Sequence, residues 1–215
     1  MSKRTVIFIF TAASLAIGGA YLWIGSSKDK NTQTTPAPTT QQPQTKKTES
    51  APELIIGNPN AKVTILEYSD PQCPICLRFF ETTEPQLKRE YLDTGKAKLQ
   101  LKVETHIGAN SKLAGQAWYC AAEQNQFAAY HDETFRRQRS GINETSLKQI
   151  AGQIGLNQNT FDQCLESGKY AAQVEADNTE AQSRISGTPT FFIGTQKVVG
   201  AQPFSVFKTI IDSQL

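Results

Sequence analysis

Apolar and polar positions change rhythm several times along this chain, and each rhythm predicts a different kind of segment. Residues 5–27 carry no charged side chain and include Val6-Ile7-Phe8-Ile9-Phe10 and Tyr21-Leu22-Trp23-Ile24. About 20 apolar residues suffice to span a bilayer, so residues 5–25 predict a transmembrane anchor. Residues 26–50 are dominated by Thr, Gln, Pro, Lys and Ser without apolar periodicity. Such a composition cannot bury enough surface to offset the entropy of ordering, which predicts a disordered linker. As a flexible coil it would reach roughly 25–30 Å. From Leu54-Ile55 onward the pattern is that of a folded domain, residues 51–215.

Within that domain, Ala61 to Tyr68 reads as a central strand and Leu77-Arg78-Phe79-Phe80 opens a helix. Pro85 should kink or divide this helix, which resumes from Leu87 to Leu92 and stops at Gly95. Lys98-Leu99-Gln100-Leu101-Lys102-Val103 alternates with period 2 and predicts a second strand. Strand signals then vanish for about 80 residues. Helical stripes replace them: Leu113, Ala117, Cys120 and Ala121; Leu147, Ile150, Ala151 and Ile154; Phe161, Cys164 and Leu165; Tyr170, Val174, Ala181 and Ile185. Thr190-Phe191-Phe192-Ile193, a turn over Gly194 to Lys197, and Val198-Val199 predict a hairpin, and Phe204 to Ile211 a last helix. Strand, helix, strand, helical block (about 105–186), hairpin, helix is the order of an α/β domain with helices on a mixed sheet and an all-helical insertion.

Charge sharpens the division. The chain of 215 residues has a net charge of +2, but residues 1–50 carry +4 and the remainder −2. The basicity belongs to the leader, and nothing points to nucleic acid. Lys3 and Arg4 ahead of the apolar run predict a cytoplasmic N-terminus at residues 1–4 and an extracytoplasmic domain, with Tyr21 and Trp23 at the far interface. Gly18-Gly19-Ala20 leaves a cleaved signal peptide as the alternative. Either way the domain is expected in an oxidising compartment.

The chemistry concentrates in Cys73-Pro74-Ile75-Cys76, between the first strand and its helix. Two intervening residues in a first helical turn let the sulfurs reach bonding distance. The helix N-terminus favours a thiolate on the first cysteine, and Pro74 suits a position whose N–H would be orphaned anyway. Half of a zinc site is the competing reading of the motif.

With the flanking segments added, the chain resembles the DsbA-like branch of the thioredoxin superfamily, exported thiol–disulfide oxidoreductases with a helical insertion. The resemblance rests on Leu66-Glu67-Tyr68-Ser69-Asp70-Pro71-Gln72-Cys73-Pro74-Ile75-Cys76, Leu87 to Lys96, Ser186-Gly187-Thr188-Pro189-Thr190-Phe191-Phe192-Ile193 and Val198 to Pro203. It implies a thioredoxin-like fold and an enzyme that introduces disulfides into secreted or cell-envelope proteins, without a cofactor or metal. It implies as partners reduced exported proteins and a membrane-embedded reoxidising protein. It makes Cys73 the exposed attacking thiol, Cys76 its buried resolving partner, and Thr188 with a cis Pro189 the substrate edge; a trans proline opening an edge strand is the plainer reading. Glu67 shares a strand face with Ile65, and the resemblance assigns it proton handling beneath the redox helix, against a structural acid satisfied by partners. Asp70-Pro71 stands where the family commonly has an aromatic, altering the surface near Cys73, and Ile75 brings no charge to stabilise a thiolate. A reductase or isomerase would use the same residues; a non-catalytic metal-binding or interaction domain is the remaining alternative.

Cys120 and Cys164 lie on helical stripes, and in an exported protein an even pair suggests a structural disulfide, with two buried free thiols as the alternative. His106 and His131 show no metal-ligand spacing and read as structural or surface residues. Arg136-Arg137-Gln138-Arg139 reads as a solvated helix end.

Overall fold

A computed structural model describes residues 50–215. The expected anchor, and the expected linker except Ser50, lie outside the described residues. Among the described residues no helix is long and apolar enough to cross a membrane.

Five strands form one mixed sheet: β1 (Leu54–Gly57), β2 (Val63–Ser69), β3 (Ala97–Val103), β4 (Thr190–Ile193) and β5 (Gln196–Val199), in the order β1-β3-β2-β4-β5. The β2–β3 pair is parallel and the other three pairs are antiparallel. Parallel strands need a crossover, and α1 (Pro74–Thr82) with α2 (Glu84–Leu87) supplies it. The division near Pro85 falls between these helices. The second then widens into a π turn over Lys88–Leu92, where Asp93 N–H donates to the Lys88 carbonyl. Gly95 ends it at φ +72°, a conformation that suits glycine.

The helical insertion comprises α3 (Ala109–Glu123), α4 (Phe127–Arg137), a 3-10 turn (Gln138–Ser140), α5 (Glu144–Gln153), α6 (Gln158–Glu166) and α7 (Ala171–Arg184); α8 (Phe204–Asp212) closes the chain. Four stripes were legible in this block, whereas the structure has five helices. The unforeseen one is α4, whose buried face is Phe127, Tyr130, His131, Thr134 and Phe135. Two polar members break the apolar period. Thr134 is accommodated because its hydroxyl donates to the Tyr130 carbonyl at 2.7 Å and accepts from the Trp118 indole at 3.3 Å.

Phe79 of α1 and Phe207 of α8 pack against Phe191 of β4, with ring centroids 4.5 and 4.9 Å away, so both helices cover one face of the sheet. On the other side α7 is bound by polar contacts: Asp177 accepts from Val103 N–H at 3.2 Å and pairs with Lys102 at 3.1 Å, and Tyr68 donates to Glu180 at 2.5 Å. Helix α3 approaches β3 so closely that a Cβ on Gly115 would lie 2.5 Å from Val103 Cγ1. Cys120 of α3 and Cys164 of α6 are joined by a disulfide.

Candidate active site

The redox turn is built on Asp70, the residue after β2. Its backbone carbonyl accepts from Cys73 N–H at 3.0 Å, and its carboxylate takes Gln72 N–H at 2.8 Å and Ile107 N–H at 3.3 Å. The side chain is wholly buried. Asp70 therefore does not modify the exposed surface near Cys73, as its departure from the family pattern suggested. It shapes the turn from beneath.

Cys73 is the N-cap of α1 with Pro74 in its first turn, and Leu77 N–H closes the first helical bond on the Cys73 carbonyl at 3.0 Å. Both cysteines are free thiols. Cys76 is 1% exposed and Cys73 only 5%. The expected exposed attacking thiol is thus largely covered. The 186–189 loop closes over it, with the Thr188 carbonyl 3.5 Å from Cys73 Sγ, and Gln138 covers the turn from the insertion. Ile75, at 37%, is the exposed member of the motif.

The two thiols are driven apart electrostatically. A hydrogen bond from the Cys76 thiol, then Thr188 and the backbone N–H groups of Cys76 and Ile75, lower Cys73 from its ordinary 9.0 to about 5. Burial, the bond to Cys73 and the charges of Cys73 and Glu67 push Cys76 well above that ordinary value. The Thr188-Pro189 bond is cis, and the Thr188 hydroxyl is buried without a hydrogen-bond partner.

Glu67 pairs in register with Leu101 and Phe191, and Phe191 packs on α1, so the acid faces the redox helix. It is 1% exposed, with one carboxylate oxygen lacking any partner. Burial first, and then the charge on Cys73, raise it from 4.5 to about 8. The unfolded chain loses this proton near 4.5 and the folded one near 8, so Glu67 costs stability as pH rises through that window. Glu67→Gln is expected to stabilise the reduced protein by about 3 kcal/mol at pH 7 and by little at pH 4. Denaturant unfolding at the two pH values checks this; an equal change at both would show that the acid is ionised in the fold.

The histidines separate. His106 is exposed and paired with Glu104. His131 is buried, its Nδ1 3.9 Å from Glu84 and 3.3 Å from Asp132. Despite the lack of ligand spacing in sequence, the fold gathers Asp70, Glu104 and His106, and also Glu84, His131 and Asp132. The first group's buried carboxylate already serves backbone N–H groups. The second lies beside Arg136, 3.7 Å from Asp132, and burial lowers His131 below its ordinary value. The Cys120–Cys164 bridge removes both sulfurs from any four-thiolate site with Cys73 and Cys76. Gln138 and Arg139, read from sequence as a solvated helix end, instead contact the redox turn and α1. No local pattern marks them, because both contacts join residues far apart in sequence.

The family model described as Thioredoxin matches residues 49–213. A Rickettsia prowazekii protein described as a protein-disulfide oxidoreductase is 28% identical over 66% of this chain and 54% of its own length. The chain spans 54% to 60% of the length of four rickettsial relatives of this description. A Bacillus anthracis protein described as disulfide bond formation protein D is 27% identical over 96% of this chain and 94% of its own. Among solved structures, oxidised BdbD from Bacillus subtilis superposes with a TM-score of 0.69 at 24% identity, covering 75% of this chain and 92% of that one.

Proposed function

The chain belongs to the thioredoxin family and is DsbA-like within it, and from that premise we propose that it is a thiol–disulfide oxidoreductase that introduces disulfides into secreted or cell-envelope proteins through Cys73 and Cys76. The observation that carries this reading is the split between the thiols, with Cys73 lowered to about 5 and Cys76 raised. A thiolate stabilised in the reduced protein makes the disulfide form the stronger oxidant. This supports the oxidant over the reductase or isomerase, although Ile75 contributes no charge.

In the forward reaction a substrate thiolate attacks Cys73 Sγ of the oxidised pair. The Cys73–Cys76 bond breaks, a mixed disulfide forms, and Cys76 leaves with the electron pair. Cys76 then takes up a proton, and buried Glu67, holding its own proton at pH 7, is the group beneath the helix suited to supply it. A second substrate thiolate attacks the substrate sulfur of the mixed disulfide and expels Cys73 as a stable thiolate. The substrate is oxidised by two electrons and the Cys73/Cys76 pair is reduced by two. The Thr188 carbonyl beside Cys73 offers an extended substrate a backbone acceptor.

Residues 5–25 anchor the enzyme with its domain extracytoplasmic, and a membrane-embedded oxidant regenerates the disulfide. This part of the proposal rests on the leader sequence and the family resemblance.

Trapping tests the reading. Cys76→Ala is expected to accumulate mixed disulfides with many exported proteins through Cys73; an empty trap would sink the proposal. A reduction potential near −120 mV suits the oxidant, and one near −270 mV a reductant.

A further inference from the structure

The 3-10 turn between α4 and α5 grips α1 at two places. Gln138 Nε2 donates to the Pro71 carbonyl at 2.9 Å and to the Cys73 carbonyl at 3.1 Å. Arg139 forks onto Glu81, Nη1 to Oε1 at 2.5 Å and Nη2 to Oε2 at 2.8 Å. The two contacts differ in kind. The Arg139 pair is exposed and joins side chains, which contributes little. Gln138 is half-buried and reaches the backbone that carries the reactive cysteine.

The Cys73 carbonyl already accepts Leu77 N–H, the first bond of α1. One oxygen thus takes both the start of the redox helix and an amide from the insertion. Fixing it fixes the Cys73-Pro74 peptide plane, and therefore the direction in which the following Ile75 and Cys76 N–H groups face the Cys73 sulfur. Asp70 holds the opposite side of the turn through Cys73 N–H and Gln72 N–H. Cys73 is clamped between the backbone carbonyl of Asp70 and an amide of the insertion.

We infer that Gln138 is a positioning residue through which the helical insertion sets the geometry of the Cys73 thiolate. It touches no sulfur and acts only on the backbone of the turn. Because it sits where α4 passes to α5, a displacement of the insertion is transmitted to the thiolate. The inference rests on the reading of Cys73 as the exchanging thiol.

The test is ultraviolet titration of the Cys73 thiolate in the reduced full-length protein, with the equilibrium against glutathione measured in parallel. Gln138→Met keeps the chain length and removes both donors. Its Cys73 acid constant is expected to fall about three- to tenfold, the size of one or two lost hydrogen bonds. The glutathione equilibrium shifts toward the disulfide by the same factor. Arg139→Met breaks the other grip and is expected to leave both quantities within about twofold, since exposed pairs contribute little. Gln138→Asn, whose amide falls short of both carbonyls, gives the Met result and serves if the Met variant does not fold. An unchanged acid constant in a folded Gln138 variant would overturn the inference. An equal shift in Arg139→Met would also overturn it, by reducing the effect to general loosening. An empty Cys76→Ala trap strikes the exchange reading instead, whatever the titration gives.

Discussion

Replacing Cys73 with serine is expected to abolish disulfide transfer to a reduced peptide dithiol, a loss of at least about 10³-fold, because the hydroxyl can neither accept nor leave a disulfide. Two details make this more than a knockout. Cys76→Ala should still form the mixed disulfide, so the two single variants fail at different steps. Cys73→Ser should also erase a pH dependence of stability. In the reduced protein Cys73 titrates near 5 against an ordinary 9.0. A group depressed in this way contributes stability that is complete above the unfolded value and is lost as pH falls through the folded one. At pH 7 that amounts to about 3 kcal/mol relative to pH 4. Denaturant unfolding of reduced wild type should therefore weaken on acidification by about this amount from Cys73 alone, and the serine variant should lack that contribution. Subtracting the two profiles isolates it from Glu67, which acts with the opposite sign. A serine variant with an unchanged difference between pH 7 and pH 4 would mean that Cys73 is protonated in the fold and that the low value is wrong.

Much of this site is written in local pattern. The strand before Cys73, the helix after it and the hairpin after Pro189 each follow from periodicity or turn chemistry within a few residues, whereas the part assigned to the distant Thr188-Pro189 segment came only from the family resemblance. Glu67 was conspicuous for the same reason, as an acid on an apolar strand face. What escaped depends on contacts between remote segments. The cover over Cys73 comes from the 186–189 loop and from Gln138, 65 residues away along the chain. The buried role of Asp70 depends on Ile107 N–H. Helix α4 hid because His131 and Thr134 occupy positions where an amphipathic period needs apolar residues; Trp118, which bonds Thr134, and Glu84, 3.9 Å from His131, lie in other elements. Redox poise belongs to the same class. Ile75 makes the motif look neutral, yet Cys73 is lowered by the Cys76 thiol, Thr188 and backbone N–H groups whose convergence only the fold produces.

The double variant Cys120→Ala/Cys164→Ala is expected to separate stability from chemistry. The bridge ties α3 to α6 across a sequence separation of 44, and both residues are buried. In the chain-entropy model, opening a loop of this size costs about 4 kcal/mol. For a domain of this length, each 1 kcal/mol lowers the melting midpoint by about 2–4 °C, so the expected fall is about 8–16 °C. Both alanines are needed, since a single substitution leaves a free thiol beside a small void and opens exchange with Cys73. The bridge touches neither the redox turn nor the 186–189 loop; α3 meets the turn only at its first helical turn, where Gln72 Nε2 donates to Ser111 Oγ at 3.0 Å, nine residues from Cys120. Titration of the Cys73 thiolate and the rate of transfer at a temperature well below the midpoint should therefore match wild type. A fall in midpoint of less than about 3 °C, corresponding to no more than about 1 kcal/mol, would mean that the unfolded chain is already compact around this pair. A changed Cys73 titration would mean that the bridge, like Gln138, reaches the active site through the insertion.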